Sequence, residues 1–553
     1  MGGLRLLAAL LILGCGDDSV APPDAAPPDA AGGAIVARGV AHPDVVYLPT
    51  QLDAGSSTDS QGRALSYAWH FTKVPTGSTV TDAMIMATGA GASFVSDLGG
   101  DYSVQLTASA GSDHASTNVD FTVPTVAMFH YAMIATADTS QLAPGIVSSD
   151  GTGSHLVACG ETLDAGTAHW DAGPSDMMNR LFFSAVNRSL DVFAPDPMTM
   201  PTATPRIAYF EQASGHLLAA DATGACPGTM PVRLDDPNVV GGAGWVRFSP
   251  DGTRVVYLEV IGGAPRNVIS VGVDGSGRHT IRSQPVSDPQ PHRVVPVWRD
   301  MQRLAWVEAP PGMQQQFSIM QGGDSDMPSV TELLTCNGVF AQIDQIGFPS
   351  TGELLISAKP PGGAFDLYRE TIGGPCDTTR KLTNEPMYSR ASDFTIAPQG
   401  VMVAYWSAAG ETPVPLGQRQ PGDIWVVPAD GSALPQKLVG AMGLNDYQPR
   451  WVAGGRQLTW SRIPAGEGTP SSPTGLFIAK ADGTGEHLVI ADSAVQGDVQ
   501  LRLGASNGGN ACSGVPGGLV GVEWLVGIAA IAIALSVRGR AKRSSRASPG
   551  DRN

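Results

Sequence analysis

Basic charge is scarce in this chain. Its 553 residues hold 34 Lys and Arg against 51 Asp and Glu, a formal net charge of −17. With no positive field to gather phosphates, nucleic acid is excluded as a partner. Catalytic signatures are also missing: no Walker-type phosphate loop and no His-Glu-x-x-His zinc pair occurs, and the ten histidines are scattered. His169 and His216 fall near the mouth of the fold argued below, where hydrogen-bonded strand histidines are a simpler reading than metal ligands. The one hydrolase-like string, Gly504-Ala505-Ser506-Asn507-Gly508, sits in a linker without the strand-to-helix elbow that exposes such a serine. No cofactor and no metal is expected, and no catalytic residue is assigned.

Long apolar runs are confined to the two ends. Between them the chain is rich in turn formers, with 68 Gly and 43 Pro, as an all-β protein should be. A turn signal returns at near-even intervals: Asp150-Gly151-Thr152-Gly153, Asp274-Gly275-Ser276-Gly277 and Asp482-Gly483-Thr484-Gly485, with looser copies at Asp221 and Asp430. Asp221 and Asp274 are 53 residues apart and Asp430 and Asp482 are 52 apart, inside the roughly 40–55 residues of propeller repeats. One unit reads in full. Trp245-Val246-Arg247-Phe248 is a short strand, Ser249-Pro250-Asp251-Gly252 a tight turn, and 254–260 a strand apolar on both sides. The stretch 268–273 follows, the Asp274-Gly275 hairpin reverses it, and 279–281 returns on the edge. Third-strand turns near 150, 221, 274, 323, 373, 430 and 482 predict a seven-bladed β-propeller over 126–503, with six blades as the alternative because the first copy lacks a clear opening strand. Gln500-Leu501-Arg502-Leu503 can supply that strand and close the ring.

The repeated strings, best preserved from Phe248 to Gly252, resemble the TolB-type propeller repeat. That resemblance implies a ring of four-stranded sheets and is compatible with an envelope adaptor, without naming a partner. The α/β-hydrolase domain that peptidases with such propellers carry is not expected in this chain.

Residues 34–124 alternate between apolar and polar and are punctuated by Gly, Asp and Ser turns, the pattern of a short-stranded immunoglobulin-like β-sandwich. Trp69 is placed as its inter-sheet core residue and Tyr102 as its tyrosine corner. These strings resemble the PKD-type domain, which implies an extracellular spacer or adhesive module. Asp53, Asp59 and Asp97 are read as turn formers and not as calcium ligands.

The ends carry targeting signals. Residues 1–14 form a short apolar segment behind Arg5, too short for a stable span and shaped as a secretory signal. Its end, Ile12-Leu13-Gly14-Cys15, resembles a bacterial lipobox, which implies lipidation at Cys15. The stretch 15–33 is rich in Pro, Ala and Asp and reads as an extended linker. At the other end come a flexible segment, 504–516, an apolar stretch, 517–537, and a basic tail, 538–553, the order of a span with its tail in the cytoplasm. Cys512-Ser513-Gly514 ahead of that span resembles the tripartite sorting tails read by rhombosortase- and myxosortase-type proteases, which implies removal near Cys512. A retained single-span anchor stays open.

Four cysteines remain, Cys159, Cys226, Cys336 and Cys376, and they allow three pairings. The same two repeat positions are used twice, so the register predicts Cys159–Cys226 and Cys336–Cys376, each joining neighbouring blades in an oxidising compartment. The Asp150-to-Asp221 interval, at 71 residues, is about twenty longer than the others. The excess lies between Trp170 and Ile207 and carries Met177, Met178, Met198 and Met200, side chains suited to an adaptable partner surface. The sequence thus predicts a non-catalytic protein of the bacterial cell envelope, at the outer membrane or cell surface. It would be held by its lipid, its C-terminal helix or both, and would bind protein, peptide or polysaccharide. The other reading is a carbohydrate-active lyase or hydrolase with its site in the funnel.

Overall fold

The computed structural model describes residues 34–136, 139–156, 190–211, 216–221, 231–238, 241–261, 264–283, 292–309, 315–386, 390–408, 422–440, 444–464 and 475–491. Within them the chain is all-β apart from two short 3-10 turns. Cys15, Cys159, Cys226, Cys512, Met177, Met178, His169 and the closing segment 500–503 lie outside the described residues.

Residues 34–123 fold as a sandwich. One sheet joins Val40–His42, Pro49–Asp53, Gly91–Val95 and Met86–Thr88, and the other joins Ser66–Lys73, Gly100–Ala110 and Asp113–Val123. Alternation drives the pairing: Tyr102, Val104 and Leu106 point inward along one strand and meet Leu52, Trp69 and Phe94 in a single core. Tyr102 is 1% exposed, and its hydroxyl donates to the Leu98 carbonyl at 2.8 Å, so the ring stays buried while its one polar atom is satisfied. Asp53, Asp59 and Asp97 serve three separate sites: Asp53 accepts from the Gly55 N–H, Asp59 pairs with Arg63, and Asp97 accepts from Ser78 and Thr79.

Among the described residues from 127 to 491, seven small antiparallel sheets follow one another, each built from consecutive strands. The sheet of Gly241–Phe248, Arg254–Ile261, Ala264–Gly272 and His279–Arg282 is the third, and it is the unit read from sequence with longer first and third strands. Two sheets are smaller: the first has three described strands, and in the fifth the outer strand is reduced to one bridge between Tyr368 and Lys381. The turn signal has a local cause. In Asp274-Gly275-Ser276 the Asp carboxylate accepts both the Ser276 N–H at 2.9 Å and its hydroxyl at 2.7 Å, while Gly275 takes φ 79°, which costs glycine little. Asp482 and Thr484 repeat this geometry, with Gly483 also at φ 79°.

Burial explains why the second strand of each sheet reads as a continuous apolar run. Its fourth residue is Tyr209, Tyr257, Trp306, Ile356, Tyr405 and Trp460 in sheets two to seven, each buried between neighbouring sheets. Sheet packs on sheet through shared apolar clusters all the way round. Phe193, Leu217 and Phe248 join the second to the third, Leu258, Ile281 and Trp306 the third to the fourth, and Leu367, Phe394 and Val403 the fifth to the sixth. The circuit returns on itself, because Val126, Met128 and Val147 of the first sheet and its approach share a cluster with Trp460, Phe477 and Val489 of the seventh. Consecutive sheets packed in a closed circuit make this a β-propeller architecture, in which each sheet's faces are covered by its neighbours and only short edges remain.

Cys336 and Cys376 form a disulfide, with Cα atoms 5.1 Å apart. Cys336 follows the outer strand Thr331–Thr335 of the fourth sheet and Cys376 follows Asp366–Thr371 of the fifth, so the bond joins neighbouring sheets inside their shared cluster.

Candidate functional site

The first and second strands of each sheet are joined at one end of the ring, and the third and fourth at the same end, so these turns share a face. Five sheets make the first connection in two to five residues, but the second sheet uses twelve, 194–205, between Leu190–Phe193 and Arg206–Glu211. The sequence places the long insertion between Trp170 and Ile207. The structure makes 190–193 the opening strand of the second sheet, so the described part of the insertion is this turn.

Asp196 organises it. Its carbonyl accepts the N–H groups of Thr199 at 3.2 Å and Met200 at 2.8 Å, and its carboxylate accepts the Met198 N–H at 3.1 Å. Pro197 and Pro201 bracket this single turn and limit its alternatives. The carboxylate side chain is 4% exposed and is gripped by both terminal nitrogens of Arg456, each at 3.2 Å, from the corresponding turn of the seventh sheet. This fork is a planar two-point contact that fixes orientation as well as charge. Standing on that base, Met198 and Met200 are 43% and 37% exposed. Beside them lies a cavity of about 140 Å³ lined by Thr125, Ala127, Pro195, Met200, Pro201 and Pro205, among others.

Other large apolar side chains are exposed on the same face: Met301 and Val401 in first-to-second-strand turns, and Met327 and Leu434 in third-to-fourth-strand turns. They stand among ionised carboxylates. The neighbouring Ser or Thr hydroxyl, followed by the backbone N–H, holds the carboxyl groups of Asp274, Asp430 and Asp482 below the usual range. The face therefore offers thioether and proline surface in an acidic field, suited to contact recognition.

Of the residues singled out from sequence, the structure brings Met198 and Met200 together with Asp196 and joins Cys336 to Cys376. His216 is half-buried against Asp235 at 3.2 Å, and Asp235 also pairs with Arg233 at 2.8 Å, a local tie at the sheet edge. Among the described residues no group of three or more His, Cys, Asp or Glu is placed to hold a metal ion. No described helix is long and apolar enough to cross a membrane, and 517–537 lies outside the described residues. Sequence reading missed Asp196 and Arg456 as a pair. They lie 260 positions apart, and neither belongs to a motif.

No protein-family model and no curated protein matches the chain. Solved structures similar to it include a Mycobacterium tuberculosis puromycin-hydrolyzing peptidase, at TM-score 0.41 and 12% identity over 66% of this chain and 53% of that one. This chain thus spans about half the length of that peptidase. Others are an oligogalacturonate lyase from Vibrio parahaemolyticus, at TM-score 0.37, 11% identity and 66% and 86% coverage, and a putative TolB from Agrobacterium tumefaciens, at TM-score 0.30, 14% identity and 47% and 83% coverage. At that identity and superposition, none of these likenesses carries an activity to this chain.

Proposed function

We propose that this chain is a non-catalytic binding scaffold of the bacterial cell envelope: a seven-bladed, TolB-like propeller behind a PKD-type immunoglobulin-like module. It is anchored through Cys15 and delivered by, or held at, its C-terminal span. The single observation that supports it best is the Met198–Met200 turn, apolar and outward-facing yet fixed from below by the Asp196–Arg456 fork. A preordered apolar turn loses little conformational freedom when a partner covers it, which is what a recognition surface requires. Envelope protein, peptide or polysaccharide is the partner class, and the disulfide of Cys336 and Cys376 suits a compartment outside the cytoplasm.

The test compares the full-length detergent-solubilised protein with its Met198→Ser/Met200→Ser variant in crosslinking capture from envelope extract, alongside a polysaccharide-depolymerisation screen. Loss of the same captured species from a variant that melts like the parent supports the scaffold. Depolymerisation by the parent, or capture unchanged by the double substitution, overturns it.

A further inference from the structure

The loop 44–48 of the N-terminal sandwich is not confined to its own domain. Val45 and Leu48 are buried, at 0% and 6% exposure, in the apolar cluster that the seventh sheet shares with the first, against Val126, Val147, Leu458, Trp460 and Val489. Val46, between them, is 0% exposed and belongs to the sandwich core with Leu52, Trp69 and Phe94. Tyr47 packs on both cores and takes a left-handed φ of 67°, which a non-glycine residue holds only when its surroundings over-determine it.

Polar contacts fix the loop on either side. The N–H groups of Val46 and Tyr47 donate to the Pro124 and Ser96 carbonyls, both at 3.0 Å, inside the sandwich. The Val46 carbonyl accepts the Gln457 amide at 2.9 Å in a buried bond from the seventh sheet. Asp44 pairs with Arg456 at 3.0 Å, on the guanidinium that also grips Asp196 of the second sheet. Tyr47 stacks on His487 of the seventh sheet with ring centroids 3.8 Å apart, and the Gly99 N–H donates to Asp150 of the first sheet at 2.9 Å. One five-residue loop and its neighbour thus touch the first and seventh sheets, the two ends of the chain's circuit, and are linked to the second through Arg456.

We infer that the sandwich is the clasp of the ring: loop 44–48, wedged at the seam where the first sheet meets the last, holds the circuit shut. A ring made of consecutive sheets opens most readily where its ends meet, because among the described residues the first and last sheets are held together there by side-chain packing and not by a shared strand. A fixture that contributes apolar side chains, a buried hydrogen bond and an ion pair at that seam raises the free energy of opening. A load carried by the N-terminus then reaches the propeller at its seam and not through a swivelling joint. The strained Tyr47 and the alternation of Val45, Val46 and Leu48 between two cores are the features that an untethered spacer loop would not need.

The test uses hydrogen–deuterium exchange on the full chain with Val45→Ala/Leu48→Ala, and separately with Gln457→Leu, which keeps volume but removes the donor to the Val46 carbonyl. The clasp requires exchange about tenfold faster or more in the first and seventh sheets, at Met128, Val147 and Val489, with the fourth sheet, at Leu304 and Trp306, unchanged. The milder Gln457→Leu should reproduce that pattern with smaller size. Faster exchange confined to 39–123 in both variants, with the seam as protected as in the parent, would sink the inference. Uniform acceleration across all seven sheets in Gln457→Leu would do the same.

Discussion

Replacing Glu370 with Gln should change the stability of the ring by an amount that depends on pH. Glu370 lies on Asp366–Thr371 of the fifth sheet and is 1% exposed. One carboxylate oxygen accepts the Asp377 N–H at 3.1 Å, and the other has no hydrogen-bond partner. Burial pushes its carboxyl up from 4.5 to about 7, against that hydrogen bond and the Arg380 charge, with Asp377 adding repulsion. The folded state therefore holds this proton more tightly than the unfolded chain does. The stability it contributes is complete below pH 4.5 and is lost as pH rises through about 7. A displacement of that size corresponds to about 3 kcal/mol. Gln cannot ionise, but its amide places an unpaired donor where the bare oxygen stood, at a cost of about 1 kcal/mol. Glu370→Gln is thus expected to be about 1 kcal/mol less stable than the parent at pH 4 and about 2 kcal/mol more stable at pH 8. Guanidinium unfolding midpoints across that range, with the disulfide intact, read the crossover. A difference between the two proteins that stays constant with pH would refute the assignment of a buried, high-pKa carboxyl here.

Two further outcomes follow from the same packing. Cys336→Ser/Cys376→Ser removes a bond that closes a 40-residue separation, so the oxidised parent should exceed the variant by about 4 kcal/mol in denaturant unfolding, and reductant should erase the gap. In the third sheet Glu259 pairs with Arg278 at 2.5 Å, and in the seventh Arg462 pairs with Glu486 at 2.6 Å, the same two positions with the signs exchanged. Glu259→Arg alone should cost about 3–5 kcal/mol, and Glu259→Arg/Arg278→Glu should recover at least half of that in the thermal midpoint. A double variant no better than the single one would show that the two sheets are not interchangeable at this position.

The equivalence of those sheets is what the sequence made legible. An Asx turn requires Asp, a glycine at positive φ and a hydroxyl two residues after the Asp, all local and all visible in Asp274-Gly275-Ser276 and again at Asp150, Asp430 and Asp482, so four of the third-strand turns could be placed before any contact was known. The same locality placed Tyr102 at its corner, because its partner Leu98 is four residues away. The joining of Cys336 to Cys376 needed only the repeat register. The insertion was visible as an over-long interval, but its shape was not, since Asp196 is held from the seventh sheet.

Sequence by itself determined the strands, their turns and their order, because those depend on side-chain alternation and backbone preferences within a few residues. Tertiary structure alone decided what meets at the seam. Arg456 lies 260 positions from Asp196 and 412 from Asp44, and Gln457 lies 411 from Val46. Contacts across such separations leave no periodic trace in the chain. They arise only when ring closure brings the first and last sheets side by side and leaves a buried donor, a guanidinium and an apolar seam for the sandwich loop to satisfy.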